Sequence, residues 1–122
     1  MKTDKSQRGT LSYKKGLWAE EWGALVLRLK GHRILEKRYK TPGGEIDLIT
    51  ETLDHIVFVE VKARATLSEA AYALTPKQKS RLHTAALYYL QRNPSVKKCR
   101  FDVLLVKPGS FPVHLKNILW NE

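Results

Sequence analysis

Glu45 and Asp47 stand in the segment Gly44-Glu45-Ile46-Asp47-Leu48-Ile49, and Glu60 and Lys62 in Val57-Phe58-Val59-Glu60-Val61-Lys62. Both segments read as strands, and side chains alternate along a strand, so residues two apart share a face. Glu45 and Asp47 therefore project to one side of the first strand, and Glu60 and Lys62 to one side of the second. Leu48 and Ile49, then Val57, Val59 and Val61, make both strands apolar enough to lie in the interior. Unpaired buried charge is costly, so carboxylates in such strands have partners or bind a metal ion. The linker Glu51-Thr52-Leu53-Asp54-His55 is short enough for a hairpin, which would bring Asp47 near Glu60. Two carboxylates so placed repel unless a proton or a cation sits between them. A hard, all-oxygen site of this kind suits magnesium or manganese. The chemistry such a site could carry is metal-assisted hydrolysis. The same residues also fit a solvated strand face, with Val57, Val59 and Val61 turned to the core.

The remaining composition narrows the partner. At 122 residues with 43% hydrophobic content, the chain is long enough for one domain with its own core. Its formal net charge of +10 favours a polyanion, nucleic acid first and an acidic membrane surface second. A single cysteine, Cys99, excludes an internal disulfide and a cysteine-rich metal site. The N-terminus is polar throughout and no apolar run approaches a membrane span, so no membrane partner and a cytoplasmic location are expected.

The elements that must position these groups follow from periodicity and punctuation. Residues 1–14, with Lys2, Lys5, Arg8 and Lys14 among Ser, Thr and Gly, read as a basic, poorly ordered arm. Residues 15–122 then form a single domain. A helix is expected over 16–30, stopped by Gly31. Arg33 to Lys40 reads as a strand, Thr41-Pro42-Gly43-Gly44 as a turn, and 45–51 and 55–64 as two further strands. Residues 65–74 fit either loop or helix. Thr75-Pro76 reads as an N-cap followed by proline at the first helical position, opening a helix that ends at Arg92 before Asn93-Pro94. Residues 100–106 and 113–119 complete the strands. The order α-β-β-β-α-β-β predicts an α/β fold, a mixed sheet flanked by helices. Gln78 shares a helix line with Leu82, Ala85 and Tyr89 and should face the sheet, although a polar residue in a first turn also fits the solvent side. In the first helix Trp18, Trp22, Leu25 and Leu29 form the bulky stripe. Periodicity alone puts Glu20 opposite it, in solvent; the small residues Gly16, Gly23 and Ala24 near it permit a second close contact.

Taken in order, Gly16-x-x-Ala19-Glu20, Gly31-x-x-Ile34-Leu35, Gly44-Glu45-Ile46-Asp47-Leu48-Ile49, Phe58-Val59-Glu60-Val61-Lys62-x-Arg64, Lys77-Gln78 and Arg100-Phe101-Asp102-Val103 form a longer pattern. In these the chain resembles the YraN-like family of predicted bacterial endonucleases. That family is in turn similar to archaeal Holliday-junction resolvases in the PD-(D/E)XK nuclease superfamily. The resemblance spans about residues 16 to 106 and implies a restriction-endonuclease-like core. Gly23 replaces the family's usual alanine, Arg38 and Lys40 stand where Asn and Arg are common, and the loop after Arg64 is short and lacks its glycine.

By this resemblance, Glu20, Asp47, Glu60 and Lys62 take the active-site positions, with Gln78 as a fifth member. Asp47, Glu60 and the Val61 carbonyl would hold magnesium or manganese, with Glu20 in direct or water-mediated support. Lys62 would orient or help deprotonate the attacking water. Arg33, Lys37, Arg38, Lys40, Lys77, Lys79 and Arg81 would form the phosphate-binding surface, although scattered solubilising charge explains such residues equally well. The expected activity is metal-dependent hydrolysis of DNA, with branched or structured substrates implied by the resolvases. Cutting a junction needs two active sites, which makes a homodimer the matching assembly. The competing expectation is a nucleic-acid-binding module that keeps the fold and does not cleave.

Overall fold

The structure, a computed structural model, describes residues 2–63 and 75–117, with side chains described within 16–63 and 75–117. Its elements are α1 (Lys2–Leu29), β1 (Arg33–Thr41), β2 (Gly44–Glu51), β3 (His55–Lys62), α2 (Pro76–Arg92), β4 (Lys98–Leu105) and β5 (Val113–Leu115). The strands form one mixed sheet in the order β1-β2-β3-β4-β5. β1–β2, β2–β3 and β4–β5 are antiparallel, while β3 and β4 run parallel. A parallel step needs a long crossover, and α2 lies within it. The α/β class and the element order are those the sequence predicts. Among the described residues, no helix is long and apolar enough to cross a membrane.

Two expectations about element bounds are corrected. Helix α1 begins at Lys2, so the stretch read as a poorly ordered arm is helical backbone. Residues 2–15 contain no proline and several good helix formers, and Gly9 alone costs only about 1 kcal/mol against Ala. Strand β5 stops at Leu115 rather than continuing to 119, because Lys116 and Asn117 turn and Asn117 adopts a positive φ of 54°. Arg64, the ambiguous stretch 65–74 and residues 118–119 lie outside the described residues.

Each face of the sheet carries its own core. Under α2, Leu82, Ala85, Ala86 and Tyr89 pack on Ile46, Ile49, Phe58, Phe101 and Val103. Under α1, Ala19, Ala24 and Leu27 pack on Leu48, Val57, Val59, Leu104 and Val106. The packed face of α1 is thus its small-residue face, with Trp22 alone of the bulky stripe partly packed against that core. A Cβ added at Gly23 would lie 2.7 Å from Leu104 Cδ2, so the helix approaches the sheet closely there. Trp18, Leu25 and Leu29 are left exposed.

Close approach also fixes α2. A Cβ added at Gly44 would lie 2.5 Å from the Arg81 carbonyl oxygen, a helix backbone atom with no room to retreat. Gly44→Ala should therefore lower unfolding free energy by about 1–3 kcal/mol, read by urea denaturation. Gly43→Ala meets the mobile Thr84 methyl instead, at 2.6 Å, and should cost less.

A buried polar network ties β4 to β5 and to the end of α1. Asp102 is fully buried and accepts hydrogen bonds from Arg100 Nε and Nη2, both 2.9 Å, and from the Asn117 backbone N–H at 2.8 Å. His114 Nε2 lies 2.6 Å from Asp102 Oδ2, and His114 Nδ1 lies 2.6 Å from Lys30 Nζ. Lysine can only donate, so the network requires the Nε2–H tautomer of His114. Burial opposes the Asp102 charge, but the bonds from His114, Arg100 and Asn117 outweigh it and hold its pKa at about 2. His32 is buried beside this network, with Nδ1 2.8 Å from Thr50 Oγ1. Burial, then the neighbouring His114 and Arg100, hold its pKa down at about 4.

The sign of the pH effect follows. The unfolded chain protonates His32 near its ordinary value of 6.5, whereas the folded chain resists until about 4. Stability from this residue is complete above pH 6.5 and is lost as pH falls toward 4. The Asp102 contribution persists lower, and is lost as pH falls from 3.8 through about 2. His32→Gln should flatten the plot of unfolding free energy against pH between 6.5 and 4, by up to about 1.4 kcal/mol per pH unit in slope.

Candidate active site

Asp47 sits where β2 is irregular on both sides. The β2–β3 ladder runs from Glu51↔Ile56 to Leu48↔Val59 and stops one step before Asp47 would meet Glu60. On the other side β1 pairs Lys37↔Leu48 and Tyr39↔Ile46 but skips the intervening Arg38 and Asp47. Arg38 has a φ of 52°, a left-handed backbone that costs a non-glycine residue about 1 kcal/mol or more. The side chains register the break. Ile46 and Ile49 both enter the core under α2, while Leu48 between them enters the core under α1. Where the ladder is lost, the Asp47 side chain replaces it, and its Oδ2 accepts from the Val61 N–H at 2.8 Å.

The parting of β2 from β3 opens a cleft of about 350 Å³. Glu20 and Ala19 of α1, Glu45 and Asp47 of β2, Glu60, Val61 and Lys62 of β3, and Gln78 and Arg81 of α2 line it. The Glu60 carboxyl hydrogen-bonds Asp47 and is pushed up to about 9, by burial first and then by that bond and the Asp47 charge; Lys62 opposes the rise. Burial and the Asp47 charge thus favour the protonated form of Glu60, and a proton or a cation between the two carboxylates relieves their repulsion. Glu20, half-buried, is raised to about 7 by burial and then by Asp47, against the pull of Arg38. The Arg38 Nε lies 3.5 Å from Glu20 Oε1.

The structure therefore brings Glu20, Asp47, Glu60, Lys62 and Gln78 to one cleft. Glu20 reaches it because the small face of α1 turns to the sheet, which bulky-residue periodicity did not indicate. Gln78 also closes the capping box: its Oε1 accepts from Thr75 N at 3.0 Å and its own N donates to Thr75 Oγ1 at 3.2 Å. Glu45, which alternation placed on the Asp47 side, joins as a further liner. The basic residues divide. Arg81 lines the cleft and Arg38 faces it through Glu20. Arg33 pairs with Glu51 at 3.3 Å, at the opposite end of β2. Lys37 is held by Glu21 at 2.9 Å. Lys40, Lys77 and Lys79 are exposed.

In donor type the cleft fits a hard divalent ion, since its acidic groups are all carboxylates and two of them touch. Asp47 and Glu60 are the pair that could hold one, by exchanging their proton for it. Among the described residues, no group of three acidic, histidine or cysteine side chains converges to an ion-holding distance. Glu20, on α1, pairs with Arg38 of β1 and could support an ion through water.

Relatives place the same segments in a wider set. The uncharacterised protein family UPF0102 matches residues 19–106. A UPF0102 protein of Bradyrhizobium sp. strain BTAi1 is 49% identical over 106 residues, 85% of this chain and 78% of the relative. One from Rhodopseudomonas palustris strain BisB5 is 48% identical over 106 residues, 85% and 81% of the two chains. Another, from R. palustris strain CGA009, is 44% identical over 120 residues, 93% and 92% of the two chains. The matched stretch contains every carboxylate of the cleft, with Lys62, Gln78 and Arg81, together with the Asp102 segment. The chain belongs to the UPF0102 family.

Proposed function

We propose that this protein is a metal-dependent endonuclease of PD-(D/E)XK type that hydrolyses phosphodiester bonds in DNA, working in the cytoplasm on branched or otherwise structured substrates. The observation that carries this reading is the hydrogen-bonded pair Asp47–Glu60, with Lys62 two residues on, in a cleft of a chain whose net charge is +10. A strongly basic protein that places four carboxylates, Glu20, Glu45, Asp47 and Glu60, in one cleft has a reason to do so at that cleft. Asp47, Glu60 and the Val61 carbonyl would hold magnesium or manganese, with Glu20 behind them. The ion, when bound, acidifies water and neutralises charge on the phosphate. Lys62 would orient that water and contact the scissile phosphate. Arg81 supplies a cation on the α2 side, and Arg38 one on the α1 side.

A second reading is the non-cleaving nucleic-acid-binding module, favoured because no three acidic, histidine or cysteine side chains among the described residues converge to hold an ion. One assay separates them. Four-way junction, flap, single-stranded and duplex DNA are incubated with the protein in magnesium, manganese or EDTA. Metal-dependent cutting, with branched or single-strand-containing DNA ahead of duplex, is expected. Binding of the same DNAs with no cutting in either metal would establish the inert module instead.

A further inference from the structure

On the face of α1 away from the cleft lies a second groove, of about 440 Å³, lined by Trp18, Trp22, Lys107, Gly109, Ser110 and Phe111. Trp18 is 46% exposed and Phe111 79% exposed. With Trp22 they make the groove a contiguous exposed aromatic surface, and such surfaces mark interaction sites. The loop that presents Phe111 is built for the purpose. In Lys107-Pro108-Gly109-Ser110, the Ser110 N–H donates to the Lys107 carbonyl at 3.2 Å and Gly109 has a φ of 76°. Proline then glycine, with positive φ at the glycine, is the signature of a type II turn, which fixes the chain without packing the aromatic away.

We propose that this groove is a stacking site for unpaired nucleobases, and that it gives the protein its preference for single-stranded or branched DNA over duplex. The proposal rests on the reading of the acidic cleft as the phosphodiester site. Two indoles and a phenyl ring beside one ammonium combine π faces for bases with a cation for the backbone, the pairing that non-specific single-strand binders use. The charge of the whole chain and of Lys107 selects a polyanion over an apolar peptide. Bases within a duplex already stack on one another and cannot offer their faces, so only unpaired ones can enter. Position supports the same occupant. Ala19 and Glu20 line the cleft while Trp18 and Trp22 line the groove, so one helix borders both. The Val106 N–H donates to the Lys62 carbonyl at 2.8 Å, which starts the Phe111 loop beside the proposed catalytic lysine.

The test is run in EDTA, so that it does not depend on cleavage. The full chain carrying Trp120→Phe is titrated with oligothymidylate or with duplex of equal length, and fluorescence of Trp18 and Trp22 is followed. Single strand should quench the indoles and bind more tightly than duplex. Trp18→Ala and Phe111→Ala should each weaken single-strand binding by about tenfold, leave duplex binding within about twofold, and Trp18→Phe should restore most of the loss. Absence of quenching, or equal losses on both DNAs, overturns the proposal. So does sedimentation showing a dimer that Trp18→Ala and Phe111→Ala dissociate, since the groove is then an interface between two copies. Failure of the two readings is distinguishable. Quenching without any metal-dependent cutting removes the nuclease and keeps the groove; cutting whose branched-over-duplex preference survives both alanine variants removes the groove and keeps the nuclease.

Discussion

Lys62→Ala is expected to lower phosphodiester cleavage by about 10²–10⁴-fold while leaving metal and DNA affinity within about twofold. The residue lines the cleft two positions after Glu60, at the last position of β3, and its backbone carbonyl is held by the Val106 N–H. Truncating the side chain therefore leaves the strand and its parallel pairing to β4 intact. What is lost is an amine beside the reacting phosphate, not a metal donor. Lys62→Arg should not restore the rate: guanidinium keeps the charge but spreads it over a planar fork and cannot give up a proton at working pH. Single-turnover cutting of a junction reads the rate, and calorimetric titration with manganese reads the metal. Cleavage that survives Lys62→Ala at the wild-type rate would place the chemistry at another site.

The sequence made part of this cleft visible and hid the rest for physical reasons. Asp47 and Glu60 were predictable neighbours because a short linker forces a hairpin and alternation fixes the faces. Thr75 and Pro76 marked the start of α2, since capping chemistry is local, and the same local rule accounts for the Gln78 contacts. Glu20 lies opposite the bulky stripe, as periodicity indicates, but the small-residue face rather than that stripe makes the main contact with the sheet. Helix α1 meets the sheet with Ala19, Gly23, Ala24 and Leu27, since close approach rewards small side chains. Nothing local to Arg38 announces its left-handed backbone, which is imposed by the irregular pairing around Asp47. The Asp102 network was equally hidden. The Arg100–Asp102 pair is local to β4, two residues apart, but Lys30 and His114 come from other elements and only the fold brings them within hydrogen-bonding range.

Asp47→Asn is expected to abolish metal binding and cleavage together, and it is a cleaner test than Asp47→Ala. Asp47 has two jobs in the structure: its Oδ2 accepts from the Val61 N–H, and its carboxylate faces Glu60. Alanine removes both and leaves a strand N–H without its acceptor, at a cost of about 1–3 kcal/mol. Asparagine keeps a carbonyl oxygen for that N–H and removes only the charge. The fold should hold, because the asparagine carbonyl keeps the Val61 N–H satisfied. Wild-type protein should gain about 2.7 kcal/mol of stability when manganese stands at 100 times its dissociation constant, visible as a rise in melting temperature. The variant should show little rise at the same concentration, since a seat built on one remaining inner carboxylate loses affinity by at least about 100-fold. DNA affinity in EDTA should be unchanged or slightly higher, with one negative charge gone from beside the phosphate. A variant that still gains full stability from manganese would put the ion elsewhere, and a variant that cuts at the wild-type rate would separate the reaction from this pair of carboxylates.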